Sequence, residues 1–271
     1  MRNISAVLCL AALCAASIFA QDTAIFNPVK TKLANGQKVI GGTVYSSDPK
    51  IYCAMANSGF DFMWIEMQHS ALTYSQVENM IWACRDAPAP AFIRIPDATE
   101  GDIQKAMDIG ALGLIVPMVD DVEKIKKVVK FANYPPIGRR SQGGGQYRGV
   151  HSDAENYRQQ INDNLMIIAM IENPTGVANV AEIAAVDGVD IIFAASGDLG
   201  SFSGKQQGDP EYEALVTKIH DEVLKAGKYL AGPMRWTDRH GYSVFQGPSE
   251  AGLIRTGAEA AIKENRGEFE Y

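Results

Sequence analysis

Basic charge is the first shortage. Lys and Arg number 25 against 32 Asp and Glu, a formal net charge of -7. With no basic stripe anywhere, the chain lacks the electrostatic footprint of a nucleic-acid binder. Cysteine and histidine are scarce too, at four each. No Cys-x-x-Cys or Cys/His cluster occurs, so a zinc site is disfavoured. No Gly-x-Gly-x-x-Gly follows the first strand-like run, which argues against a dinucleotide-binding fold. Linkers and low-complexity stretches are also missing, so 21–271 reads as one domain.

The long apolar run is confined to the start. Arg2 gives a positive beginning, Ala6–Ala16 an apolar core, and Ser17-Ile18-Phe19-Ala20 a small-residue end. This is the pattern of a secretory signal over 1–20, cut near Ala20–Gln21. It is too short for a comfortable membrane anchor, so no membrane association is expected after its removal. The expected location is periplasmic or secreted. Cys9 and Cys14 leave with the signal. Cys53 and Cys84 remain, both in helix-like segments, where buried free thiols are the expectation; outside the cytoplasm a disulfide is permitted but two cysteines do not establish one.

What is present is alternation. Strand-like runs at Lys38–Tyr45, Asp61–Met67, Ala91–Ile95, Leu112–Pro117, Leu165–Ile171, Val189–Ala195, Tyr229–Ala231 and Tyr242–Phe245 are separated by helix-like segments. Those segments are Pro49–Asn57, Tyr74–Asp86, Glu100–Ile109, Val122–Ala132, Ala154–Asn162, Val177–Val186, Glu211–Ala226 and Ser249–Lys263; Gln21–Lys38 reads as a loose lead-in. Eight strand–helix repeats predict a single-domain α/β fold, a (β/α)8 TIM-type barrel, rather than an open doubly wound sheet.

Parallel strands place their C-terminal ends on one rim, where the chemistry of such barrels resides. Glu172 closes the fifth strand and Asp198 follows the sixth, within Ser196-Gly197-Asp198-Leu199-Gly200. Two hard oxygen donors at adjacent strand ends suit an octahedral divalent cation. The plainer alternative for an acid after a strand is a helix N-cap, the role expected of Asp187 and Asp190. His69 ends the second strand as a candidate general base, with Glu66 three positions earlier to orient its ring; a loop or capping role is the alternative. Arg94 lies inside an apolar strand and needs an anionic partner. A substrate carboxylate, Glu66 and Glu172 are the candidates.

Together these residues resemble a known family. The ordered set Gly59-Phe60-Asp61, His69, Arg94, Gly110-Ala111-x-Gly113, Val116-Pro117-Met118-Val119, Tyr134-Pro135-Pro136 with Arg140, Ile171-Glu172, Ala185-Val186-Asp187-Gly188-Val189-Asp190 and Gly197-Asp198-Leu199 is similar to that of the HpcH/HpaI family, the metal-dependent (class II) 2-keto-acid aldolases. The likeness spans about Asn35 to Ile262. It implies a carbon–carbon lyase that cleaves a 4-hydroxy-2-oxo acid to pyruvate, or a related 2-keto acid, and an aldehyde through an enolate stabilised by Mg²⁺, Mn²⁺ or Co²⁺. Glu172 and Asp198 would hold the cation and Arg94 the pyruvyl oxygen. Backbone N–H groups at Gly197 and Asp198 would hold the carboxylate, Arg140 would orient the substrate, and His69 with Glu66 would manage the hydroxyl proton. A homo-oligomer is implied as well. Two further readings are an oxaloacetate-type decarboxylase using the same site, and an exported keto-acid-binding protein without turnover. The chain departs from the family pattern in three places. Glu66-Met67-Gln68-His69 stands where the family has Asp-x-Glu-His, Met170 where Gln is common, and the segments Arg139–Gln146 and Pro233–Gly241 are unlike the usual loops.

Overall fold

The computed structural model describes residues 25–143 and 157–266. The expected signal over 1–20, Cys9, Cys14 and the segment 144–156 lie outside them. Eight parallel strands close into a barrel in sequence order. They are β1 Val39–Val44, β2 Phe62–Glu66, β3 Ala91–Arg94, β4 Gly113–Val116, β5 Met166–Ile171, β6 Ile191–Ala194, β7 Tyr229–Pro233 and β8 Tyr242–Ser249. The helices are α1 Pro28–Ala34, α2 Pro49–Ala56, α3 Tyr74–Ala83, α4 Glu100–Asp108, α5 Val122–Ala132, α6 Tyr157–Asn164, α7 Pro174–Ala184, α8 Ser196–Ser203, α9 Pro210–Lys225 and α10 Glu250–Asn265. The expected TIM-type barrel is therefore the fold.

Alternation along each strand sorts the core into two layers. Phe62, Trp64, Phe92, Ile115, Met166, Ile168, Met170, Ile191, Phe193, Ala231 and Val244 fill the barrel interior as one buried cluster. The other faces, such as Met63, Ile65, Ile93 and Leu114, join the helices in an outer layer. Two glycines make room for the large rings inside. A Cβ on Gly41 would sit 2.3 Å from the Phe62 ring, and one on Gly113 the same distance from that of Phe92.

Two features, the first and last of the following three, differ from the sequence reading. The lead-in contains α1, started by Asn27 as N-cap with Pro28 at the first position; Val29 and Leu33 of this helix close the barrel's lower end. Between β7 and β8, where the sequence reading has no helical segment, the connection holds a 3₁₀ turn, Met234–Trp236. Finally, Cys53 of α2 and Cys84, the C-cap of α3, are joined as a disulfide rather than standing as free thiols. Their Cα atoms lie 5.5 Å apart because α2 and α3 are neighbours, a proximity that spacing in the sequence does not reveal.

Candidate active site

The same alternation that fills the barrel determines what reaches its upper rim. Phe62 and Trp64 point inward, so Glu66 does too; Phe92 brings in Arg94, and Met170 brings in Glu172. Register aligns them, with Glu66 opposite Arg94 across β2 and β3. Arg94 is buried between two carboxylates. Its Nη1 donates to Glu66 Oε2 at 3.2 Å and its Nη2 to Glu172 Oε1 at 3.1 Å. Of the partners open to Arg94, the structure thus supplies both protein acids.

Neither of the two acids expected at the metal is a helix cap. After β5 the cap is the next residue: Asn173 accepts from Gly176 N at 2.9 Å and donates to Asp120 Oδ1 at 2.6 Å. Glu172 is left to face the barrel mouth, where its Oε2 accepts from the backbone N–H of Met118 at 3.1 Å. Met118 adopts φ 52°, a left-handed conformation costly for a side chain with a Cβ, and this turn aims its N–H at the carboxylate. Asp198 lies in the first turn of α8, whose N-cap Ala195 provides no side-chain hydrogen bond. The helix start therefore presents amide N–H groups and a carboxylate together. A Cβ on Gly197 would meet nothing within 4 Å, so the space above this turn is open.

Charge is unbalanced here. Burial pushes the Glu172 carboxyl up to about 7; Arg94 and the Met118 amide oppose that rise, while Asp198 and Asp120 add to it. One guanidinium does not neutralise this many acids, and the excess sits between the ends of β5 and β6.

The structure corrects two expected roles. Glu66 does not hold the His69 ring. Its Oε1 accepts from the backbone amides of Gln68 and His69 at 2.9 and 3.0 Å, and its Oε2 from Trp64 Nε1 and Arg94. The carboxylate shapes the turn after β2 and holds the arginine, while His69 itself is exposed on that turn. Arg140 is not turned to the rim. Its side chain is buried against α4, with Nη2 donating to Asp108 Oδ1 at 2.6 Å and the guanidinium 4.6 Å from the Tyr134 ring centroid. Asp108 ends α4 and so lies toward the lower end of the barrel, because that helix descends from β3. Asp190 caps no helix; it is a loop residue before β6 that accepts from Ile167 N at 2.8 Å.

Other rim residues escaped the motifs. Tyr45 continues the inward parity of β1 and lies level with Glu66, since Val44 pairs with Ile65. Burial raises its phenol pKa; Glu66 and Glu250 add to the rise and Arg94 opposes it, so the ring stands among the charges of the mouth. Glu250, buried at the start of α10, accepts from the amides of Tyr45 and Ser46 at 2.9 and 2.7 Å. Strand parity was the signal that would have found Tyr45.

The profile of the HpcH/HpaI aldolase/citrate lyase family matches residues 43–232, from inside β1 to the end of β7. The chain belongs to this family. The 2-keto-3-deoxy-L-rhamnonate aldolase of Escherichia coli (strain K12) is 31% identical over 205 residues, covering 74% of this chain and 77% of that one. Among solved structures, the citrate synthase SbnG superposes with a TM-score of 0.76 at 27% identity, covering 88% of this chain and 98% of that one. An HpcH/HpaI aldolase from Desulfitobacterium hafniense DCB-2 gives 0.79 at 24% identity, covering 90% and 99%. As an HpcH/HpaI protein, the chain is an enzyme, a carbon–carbon lyase.

Proposed function

We propose that this HpcH/HpaI lyase cleaves a 4-hydroxy-2-oxo acid to pyruvate, or a related 2-keto acid, and an aldehyde. The observation that carries the reading is Glu172 itself: it caps no helix, pairs with Arg94, and is pushed up to about 7 by burial, with Asp198 adding to the rise. That pair fits a divalent cation, Mg²⁺, Mn²⁺ or Co²⁺, because two adjacent carboxylates carry uncompensated charge and leave coordination positions for water and substrate oxygens. Such a cation polarises a keto group and offsets developing negative charge. The E. coli relative's name supports the reading, since its substrate is also a 2-keto acid.

The chain's own residues divide the work. Arg94 Nε is buried with no acceptor among the described residues, a donor available to an oxygen of the keto acid. The first-turn amides of α8, at Gly197 and Asp198, receive the substrate carboxylate. His69, exposed at the mouth and tied to Glu66 only through its backbone amide, takes the hydroxyl proton. Pyruvate release from a panel of hydroxy-oxo acids, with and without added Mg²⁺ or Mn²⁺, tests this; no cation-dependent release from any of them rejects it. Glu172→Gln and Asp198→Asn should abolish divalent binding in calorimetry while the fold persists. One observation favours decarboxylation of an oxaloacetate-like acid as a second reading: Glu66 bonds the His69 backbone amide rather than its ring, and loss of CO₂ leaves no hydroxyl to deprotonate.

Residues 1–20 act as an export signal in this proposal, and the Cys53–Cys84 disulfide supports an oxidising, extracytoplasmic destination. N-terminal sequencing of the mature protein should begin near Gln21; a cytoplasmic product starting at Met1 refutes it. A homo-oligomer is proposed too, supported by the exposed Leu253, Ile254 and Ile262 along α10. Sedimentation would read the state directly.

A further inference from the structure

The shortened connection after β7 brings a second arginine to the rim. Arg235 follows Pro233, the last residue of β7, by two positions, inside the 3₁₀ turn Met234–Trp236. The turn is anchored. Trp236 is 2% exposed, Arg239 stacks 4.3 Å above its ring, and Arg239 forks onto Glu213 of α9 at 2.7 and 3.1 Å. A side chain projecting from this backbone is therefore held in place from below.

From there Arg235 reaches sideways to the start of α8 and the loop that follows that helix. Its Nη2 donates to Ser196 Oγ at 2.5 Å and to Gln207 Oε1 at 3.2 Å, and its Nε to the same Gln207 oxygen at 3.3 Å. Ser196 is also fixed from the other side, its carbonyl accepting from Tyr212 OH at 2.9 Å. Both acceptors of Arg235 are neutral. Arg94, Arg139, Arg140 and Arg239 each pair with a carboxylate; Arg235 forms no ion pair among the described residues, although its anchor Ser196 is two residues from Asp198. An exposed guanidinium with its charge unspent, beside the proposed keto-acid site, is a recognition element for an anion.

The pyruvyl half already has Arg94 and the α8 amides in that reading. We propose that Arg235 recognises the far end of the substrate, so that the enzyme selects 2-keto acids whose aldehyde-derived half carries an anionic terminal group, a carboxylate or a phosphate. This rests on the keto-acid reading of the site. Gln207 and Ser196 orient the guanidinium fork, and the anchored turn fixes its distance from Asp198.

The test compares two 2-keto acids that differ only in the far end: 2-oxoglutarate, ending in a carboxylate, and 2-oxopentanoate, ending in a methyl group. Binding of each to the full-length mature protein with Mg²⁺ is measured by calorimetry. Wild type should prefer 2-oxoglutarate, and Arg235→Gln should reduce that preference by about 10–100-fold, the scale of one hydrogen bond to a charged group. Arg235→Lys, which keeps the charge and loses the fork, should reduce it less. A preference unchanged in Arg235→Gln overturns the proposal, as does equal weakening of both ligands, which is the signature of a purely structural tether on Ser196. Exchange of pyruvate C3 protons with deuterium, followed by NMR on wild type, separates the two levels. Exchange with an unchanged preference overturns the role of Arg235 alone; absence of both exchange and keto-acid binding overturns the site reading and this inference with it. In the condensation direction, succinic semialdehyde and glyceraldehyde 3-phosphate, each set against butanal, distinguish a carboxylate from a phosphate end.

Discussion

The two ends of the barrel solve the same problem with opposite chemistry. At the lower end α1 closes the interior: the side-chain and backbone amides of Asn27 and Asn164 satisfy one another, and the buried Arg140 guanidinium is matched by Asp108. Asn164 Oδ1 accepts from the amides of Phe26 and Asn27 at 2.7 and 2.8 Å, while Asn27 Nδ2 donates to Asn164 O at 2.7 Å. At the upper end, Glu66, Arg94 and Glu172 are as deeply buried, yet they carry charge that does not cancel. A satisfied amide network stabilises and is chemically inert. A charged cluster left short of cations costs stability and is where a barrel does chemistry. Burial by itself therefore does not mark the site; the imbalance does.

Substitutions should separate the ends sharply. The largest effect is expected from His69→Ala, which should lower carbon–carbon cleavage by roughly 10²–10⁴-fold, the worth of a positioned acid–base group. Oxaloacetate decarboxylation should be spared relative to cleavage, and steady-state kinetics with both substrates check it. Equal losses would make the histidine structural. Next comes Arg94→Lys, which keeps the charge but not the fork that bridges Glu66 and Glu172. A drop in kcat/KM equivalent to about 2–4 kcal/mol is expected, and near-normal kinetics would leave Arg94 a structural residue only.

At the lower end, Asn164→Ala should cost about 2–3 kcal/mol of stability in urea unfolding, because one buried and one half-buried N–H group lose their acceptor. Its kcat should stay near that of wild type; a collapse of activity there would dissolve the contrast between the ends. The smallest effect concerns pH. Glu172 ionises near its ordinary 4.5 in the unfolded chain and near about 7 in the folded one. The folded state therefore holds a proton the unfolded state has lost between those values, so this group's stabilising contribution is present below 4.5 and is lost as pH rises to 7. With a chelator present, unfolding free energy should fall by about 1–3 kcal/mol across that window, and Glu172→Gln should flatten the dependence.

Much of the fold was legible in the residues. Eight apolar runs separated by helical segments predicted the closed barrel, and the strand-end positions of Glu66, Arg94 and Glu172 followed from counting along them. Asn27-Pro28 was a readable helix start, and Tyr45 was reachable by counting alternate residues along β1. Other features were hidden for a physical reason. Whether Glu172 or Asn173 capped α7 depended on which side chain could turn back to Gly176, a question of three-dimensional direction.

The sequence by itself determined the order of elements, the family and the set of acids and bases available, because these follow from local periodicity and residue type. Tertiary structure decided the partnerships. It turned Glu66 away from His69 toward Arg94, buried Arg140 against Asp108, joined Cys53 to Cys84, and carried Arg235 to Ser196 once the connection after β7 shrank to a single turn. Each of these links residues far apart in the chain or chooses among several acceptors within reach. Such choices are settled by the closure of the barrel and by the distances it imposes, and no local pattern of residues contains them.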